Sequence, residues 1–298
     1  MFCFALGNVM EKVKLASALE EKLNALIAWL KNETCVVAFS GGVDSATLAK
    51  ALSYAYEQYP ELKRLKPIGY FAESYTTTAI ERTEARRIAQ EIGIELRVIQ
   101  SKEFEDQRFV ENSPLRCYWC KKVRFEAIKT VANEEFRSKI NQEILVIDGS
   151  NADDKNDFRP GSRAAREVGV RSPFAELNIS KAEIRSLASY WGLSVAQKPS
   201  NPCLATRIGY YLKLDNAILR QVEAAELAIK IILNVETCRA RVDALNSVRI
   251  EIPEECIANA VSQETRRNLV DELRKVGFNF VSLDLEGFVS GKNNRSVT

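Results

Sequence analysis

Cys35-Val-Val-Ala-Phe39, followed at once by Ser40-Gly-Gly-Val-Asp-Ser45, is the stretch that decides the fold. Five apolar residues stop at two glycines, and from Ala46 to Tyr59 the pattern turns helical. A short run that is apolar throughout suits a buried strand, so the order reads strand, tight turn, helix. Two glycines let the backbone turn sharply and aim consecutive N–H groups at one point. The helix start adds its partial positive charge, and Ser40 and Ser45 add hydroxyl donors. Such a pocket suits a phosphate or pyrophosphate, with Ser40, Gly41, Gly42, Asp44 and Ser45 around it. Neither GxxxxGK[ST] nor GxGxxG spacing occurs, which excludes a Walker loop and a dinucleotide fingerprint. Asp44 would repel bare phosphate, so its natural role is to help hold Mg²⁺. The plainer alternative is a tight strand–helix turn in which Asp44 and Ser45 merely favour the helix start.

Working outward, residues 11–32 place apolar positions at helical spacing, and Pro67 to Ala72 reads as a second strand. Thr78-Ala-Ile-Glu81 has the capping-box spacing and opens a helix to Ile92, stopped by Gly93. Leu96 to Ile99 is a third strand. A polar loop, 101–116, leads to a helix from about Cys117 and then to the strand Ile144 to Asp148. Ser180-Lys-Ala-Glu183 opens a second capped helix ending at Trp191-Gly192, with a short strand expected near 194–196. Alternating strands and helices predict an α/β fold: a parallel sheet covered by helices on both faces, with ligands outside the carboxyl ends of its strands. After the break Lys198-Pro-Ser-Asn-Pro202 the rhythm changes. A helix (215–233), strands at 237–242 and 248–252, a helix (262–276) and a strand (278–285) predict a second, smaller α/β domain. The expected division is 1–202 and 203–298.

Composition removes whole classes of function. The 42 Lys+Arg against 40 Asp+Glu leave +2, too balanced for a large nucleic-acid footprint or a polybasic membrane surface. There is no histidine, so Ser-His-Asp and Cys-His nucleophiles and His-ligated metals are excluded. Residues 1–10 show no convincing secretory leader, and no apolar run approaches the ~20 residues of a membrane span. Seven cysteines, an odd number in a chain long enough to need no disulfide staples, point to a reducing, cytoplasm-like compartment.

Arg116-Cys-Tyr-Trp-Cys-Lys-Lys122 puts Cys117 and Cys120 one helical turn apart. Alone, CxxC is ambiguous among zinc, a redox pair and an Fe–S ligand. Cys203 adds a third thiol where the sheet region hands over to the second unit. Three thiolates suit a [4Fe–4S] cube with one iron left open. Cys35, in a strand, and Cys256, in a polar turn, read as plain thiols.

SGGVDS resembles the pyrophosphate (PP-) loop of the N-type ATP pyrophosphatases. That implies cleavage of ATP between its α- and β-phosphates and transfer of adenylate to an acceptor oxygen. A carboxylate acceptor is already a nucleophile at neutral pH, which fits the missing histidine. Together with RCYWCK, DGSNADD (148–154), FRPGSRAA (158–165), VRSPFAEL (170–177), KPSNPCLATRI (198–208) and LDLEGFVSGKNN (283–294), the chain resembles the LarE-type sulfur transferases of nickel-pincer cofactor biosynthesis. The resemblance implies adenylation of a carboxylate on a pyridinium dicarboxylate mononucleotide, followed by sulfur transfer that leaves a thiocarboxylate and AMP. One subfamily sacrifices a cysteine; another holds a cluster on three, the pattern that Cys117, Cys120 and Cys203 fit. Sulfide or a cysteine desulfurase is the implied sulfur source, and a homo-oligomer the implied assembly.

By the same resemblance Ser74 contacts adenosine, while Arg239, Arg241 and Glu251 bind the substrate phosphate and assist transfer. A His-Gly segment usual after the arginine pair is replaced by Val242-Asp-Ala-Leu-Asn-Ser247. Gly149, Asn151, Asp153 and Asp154 follow a strand end, where a site should lie. Arg159, Arg163 and Arg166 fall on the long segment 151–172, where they would grip phosphate or form an exposed face. Glu226 is a further candidate, and Tyr118 and Trp119 would shield the cluster. Two other functions share these features: a tRNA thiolase, which the near-neutral charge disfavours, and a non-catalytic nucleotide or Fe–S adaptor.

Overall fold

The computed structural model describes residues 15–62, 65–138, 143–156, 160–199, 201–289 and 292. Its first half is a four-stranded sheet: β1 (Cys35–Ala38), β2 (Ile68–Glu73), β3 (Glu95–Gln100) and β4 (Leu145–Ile147), in the order β3-β2-β1-β4. Each neighbouring pair is parallel. The chain steps outward from β1 to β3 and then jumps back to β4, so the loops leaving β1 and β4 diverge. That divergence opens the crevice in which open α/β sheets bind ligands.

Strand alternation divides the core between two faces. Cys35, Val37 and Phe39 join a cluster with Leu26 and Leu30 of α1 (Ser17–Lys31), Leu48 and Leu52 of α2 (Val43–Gln58), and Ile88 of α3 (Ala79–Ile92). Val36, Val146, Ile68 and Tyr70 point the other way, among residues that include Ile128 and Ala132 of the same cluster. Burial of each such Val, Leu or Ile contributes about 1.5–3 kcal/mol. Thr78 Oγ1 accepts from Glu81 N (3.1 Å) and Glu81 Oε2 from Thr78 N (2.9 Å), the reciprocal cap expected of α3; Gly93 ends the helix at φ +82°.

The rest of this half comprises the single turn α4 (Gln107–Val110), the long α5 (Arg116–Phe136) that carries Ile128 and Ala132, α6 (Pro160–Val168), the single turn α7 (Pro173–Glu176) and α8 (Lys181–Tyr190). The long segment 151–172 contains a 3-10 turn at Ala152–Asn156 and then α6. The strand expected near 194–196 is absent, replaced by turns. The free edge of β4 is taken instead by Arg171, whose N donates to Val146 O and whose O accepts from Asp148 N. Ala196 O and Lys198 O accept from the Arg185 guanidinium.

A second sheet follows, β5 (Arg239–Asp243), β6 (Ser247–Glu251) and β7 (Phe280–Leu283), with β5/β6 antiparallel and β6/β7 parallel. Its core draws Leu219, Val222 and Ile229 from α9 (Asn216–Leu233), Ala260 from α10 (Ile257–Ala260), and Leu269 and Leu273 from α11 (Gln263–Lys275). Phe109 of α4 belongs to the same core, with Trp119, Cys120 and Cys203 packed against it. Glu223 of α9 accepts from Ala79 N (2.9 Å), and Arg220 donates to Tyr75 O (2.5 Å). These contacts tie α9 to the loop after β2. Among the described residues no helix is long and apolar enough to cross a membrane.

Candidate functional site

Helix α2 begins three residues earlier than its apolar pattern suggests, with Gly42 as its N-cap residue. The helix therefore starts inside the glycine turn and points its free N–H groups into the crevice. Gly41 sits at φ +73°, where a Cβ would come 2.9 Å from Ala85 Cα, so only glycine fits without movement. Ser45 Oγ accepts from Ser40 N (3.1 Å), lies 3.0 Å from Ser40 Oγ and donates to Gly42 O (3.1 Å). Across the crevice, a Cβ on Gly149 would lie 2.8 Å from the Asp44 carbonyl carbon, so glycine lets the loop after β4 close on the start of α2.

Between these loops lies a cavity of about 440 Å³. Ser40, Gly42, Asp44, Ser45, Gly149, Asp154 and Cys203 line it, together with Lys121, Arg124, Asp148, Lys181 and Lys198. Both Asp44 carboxylate oxygens accept from Lys181 Nζ, at 2.6 and 2.5 Å. Lys121 Nζ stands 3.6 Å from Asp148, whose carboxylate also accepts from Ser172 Oγ (2.6 Å). Lys198 pairs with Glu84. Cationic side chains converging on a helix N-terminus make the cavity suited to a polyanion.

Other expected residues support the cavity from behind. Asn151 is buried and accepts from Asp153 N (3.1 Å), while Asp153 accepts from Lys181 N (2.8 Å) and so fixes the start of α8. Ser74 accepts from Arg124 Nη2 at 2.8 Å. Cys117 and Cys120 lie on the first turns of α5, Cys117 exposed and Cys120 half-buried. Burial pushes the Cys120 thiol up to about 12 against the pull of Arg124, and the charges of Glu103, Cys203 and Cys117 act in the same direction as burial. The three thiols are thus close enough to influence one another. Tyr118 and Trp119 meet edge to face, 4.6 Å between ring centres. Cys35 and Cys238 are buried core thiols, each pushed up to about 12 chiefly by burial.

Among the described residues no three Cys, Asp or Glu groups stand close enough to share one metal ion. A four-iron cube asks for something different, since its cysteines bind separate irons and form a wider triangle. Three neighbouring thiols beside a cavity suit that donor chemistry. For Mg²⁺, which takes one or two carboxylates and completes its shell with phosphate and water, Asp44 at the cradle mouth is a fitting ligand. The Lys181 ammonium now bonded to it would have to yield.

Arg239, Arg241 and Glu251 lie on the second sheet and do not line the cavity. Arg241 is paired with Glu251 (3.0 Å) and donates to Thr206 O (2.8 Å). Arg239 is buried, donates to Cys238 O (2.7 Å) and stacks on Phe288. Burial, then the charge of Arg207, holds its guanidinium below the usual arginine range. Glu226 accepts from Arg207 (2.7 Å) and from Ala240 N (3.2 Å), joining α9 to β5. Arg163 and Arg166 form an exposed face on α6, with Arg163 paired to Glu167. Arg159 lies outside the described residues.

Lys121, Lys181, Lys198, Asp148 and Arg124 escaped the reading of the sequence. Lys181 did leave a signal: a lysine in the first turn of a capped helix opposes the helix dipole, which usually means that something else needs it there. Arg124, four residues after Cys120, shares its helix face.

An open parallel sheet with a glycine-turn cradle at its switch point defines an α/β protein whose cavity suits a small anionic molecule. No family model matches the chain. An uncharacterized protein of Synechocystis sp. is 36% identical over 94% of this chain and 99% of its own length. Pyridinium-3,5-bisthiocarboxylic acid mononucleotide synthase of Lactiplantibacillus plantarum is 32% identical over 95% of this chain and 97% of its own. An uncharacterized protein of Methanocaldococcus jannaschii is 29% identical over 92% and 95%. The chain belongs to the family of that synthase, the LarE type.

Proposed function

We infer that the protein is an ATP-dependent sulfur transferase that converts a carboxylate of a pyridinium dicarboxylate mononucleotide, or a related small acid, into a thiocarboxylate. One observation carries this reading: Cys203 and the Ser40–Ser45 cradle line the same cavity. The near full-length likeness to a synthase whose name specifies a bisthiocarboxylic acid mononucleotide supports it.

In the first step an acceptor carboxylate oxygen attacks the α-phosphorus of ATP, and the bond to the β-phosphate oxygen breaks, releasing pyrophosphate. The N–H groups at the start of α2 hold the phosphates, the nearby lysines neutralise their charge, and Asp44 holds Mg²⁺. In the second step an anionic sulfur attacks the acyl carbon, and AMP departs with the bonding electron pair. Cys117, Cys120 and Cys203 would hold a [4Fe–4S] cluster, whose chemistry is to present a replaceable sulfide as that sulfur. Arg239 and Arg241 bind the acceptor phosphate, with Glu251 fixing Arg241. The division at 202/203 separates nucleotide from acceptor binding, and the work is done in the cytoplasm.

The test is pyrophosphate release and acceptor mass in anaerobic protein given ATP, Mg²⁺ and the dicarboxylate mononucleotide. Release dependent on the acceptor, with oxygen replaced by sulfur, is expected, and Asp44→Asn should slow it by about 100-fold or more. Tight AMP binding without pyrophosphate release would sink the enzymatic reading in favour of an adaptor. A salt-sensitive shift with tRNA would redirect it to a thiolase. Iron and acid-labile sulfide should be present, and a cubane signal unchanged in Cys120→Ala would remove the three-cysteine assignment.

A further inference from the structure

Arg124 is an arginine fixed at one end and unsatisfied along its shaft. Its Nη2 lies 2.8 Å from Ser74 Oγ, 2.8 Å from Thr76 Oγ1 and 2.7 Å from Glu103 Oε1, three acceptors around a nitrogen with two protons. Glu103 is completely buried, so this anchor is an ion pair in the interior. Arg124 Nε, in contrast, is buried without a hydrogen-bond partner. An unmatched guanidinium donor usually costs more than a hydrogen bond to a neutral group returns, so its retention asks for a partner.

The surroundings show what that partner is. Cys120 lies one turn earlier on the same face of α5. Cys203 lines the same cavity as Arg124, and the amide of Leu204, its neighbour, donates to the carbonyl of Thr76, whose hydroxyl accepts from Arg124. The guanidinium therefore sits between the loop after β2 and two of the three thiols.

We propose that Arg124 is a positioning residue for the transferred sulfur: anchored on Ser74, Thr76 and Glu103, it sets a fixed positive charge beside Cys120 and Cys203 that holds an anionic sulfur toward the cavity. The proposal rests on the sulfur-transfer reading, yet its test needs neither ATP nor acceptor, so the two fail separately. Cluster-free full-length protein is alkylated with iodoacetate, an anion, and with iodoacetamide, its neutral counterpart, and the rate at each cysteine is read by peptide mass spectrometry. Both reagents attack the same thiolate, so their rate ratio cancels the fraction ionised and reports local charge.

In Arg124→Gln the iodoacetate-to-iodoacetamide ratio at Cys203 and Cys120 should fall about tenfold, while Arg124→Lys keeps it within about twofold. Cys117, exposed and two turns from Arg124, should hardly change. Because Arg124→Gln leaves Glu103 buried and unpaired, the double variant Arg124→Gln/Glu103→Gln is measured beside it and should show the same fall. An unchanged ratio in the folded double variant overturns the proposal. So does an equal loss in Arg124→Lys, which would mean that the shape of the fork matters and its charge does not.

Discussion

At the Ser40–Ser45 turn both hydroxyls are engaged within the turn, and the adjacent Asp44 is neutralised by Lys181. On β5, Arg239 is buried with only a neighbouring carbonyl and an aromatic face, and no carboxylate pairs with it among the described residues. The turn meets an anion with backbone dipoles whose cost was met on folding, so it is stable when empty. Arg239 keeps a buried charge that no carboxylate bonds among the described residues, with Glu226 acting on it only from a distance, which is a standing cost until an anion arrives. Arg241, one residue pair away on the same strand face, is the internal control: buried similarly, but matched by Glu251.

The largest effect should separate these two arginines. Arg239→Gln removes a charge the fold does not need, so unfolding stability should hold or rise while affinity for the phosphorylated acceptor falls about 100-fold. Arg241→Gln leaves Glu251, completely buried, with Arg249 as its remaining partner, and should lower stability by about 2 kcal/mol. Denaturant unfolding and acceptor titration of both variants decide the matter. If Arg239→Gln unfolds as readily as Arg241→Gln, the contrast between an unpaired and a paired arginine disappears.

A second test breaks the other side of the comparison. Gly41→Ala should destabilise by about 2 kcal/mol, because alanine is strained at positive φ and its methyl meets the backbone of Ala85. Nucleotide affinity should fall with it, since relief of the overlap moves the start of α2 away from α3. Unaltered stability would mean that the turn has slack and is not a rigid cradle.

The same contrast explains what could be read from the sequence. The turn, the two capping boxes and the unbroken apolar run of β1 are local patterns, each complete within a few residues, and the chain builds them as expected. The missing strand at 194–196 was decided elsewhere: Arg171 fills the edge of β4 and Arg185 takes the carbonyls of Ala196 and Lys198. Lys181 reaches Asp44 across 137 residues, and Arg124 reaches Ser74 across 50. No periodicity encodes such partners. Site residues defined by what they touch stay hidden until the sheet brings its loops together, whereas those defined by backbone shape announce themselves.

The smallest expected effect sharpens the idea of a turn satisfied from within. Ser45 Oγ is the one atom that joins Ser40 N, Ser40 Oγ and Gly42 O. Ser45→Ala removes all three contacts, yet the crevice is open enough for water to replace some of them, so the stability loss should be only about 1 kcal/mol. What should change more is order: without its tie to Ser45, Ser40 N is released, and its amide hydrogen exchanges faster in the variant. Saturating ATP should restore protection, because phosphate oxygens can accept the N–H groups the hydroxyl once organised. If the amide stays protected without nucleotide, the glycines alone shape the turn, and the serine serves the ligand and not the fold.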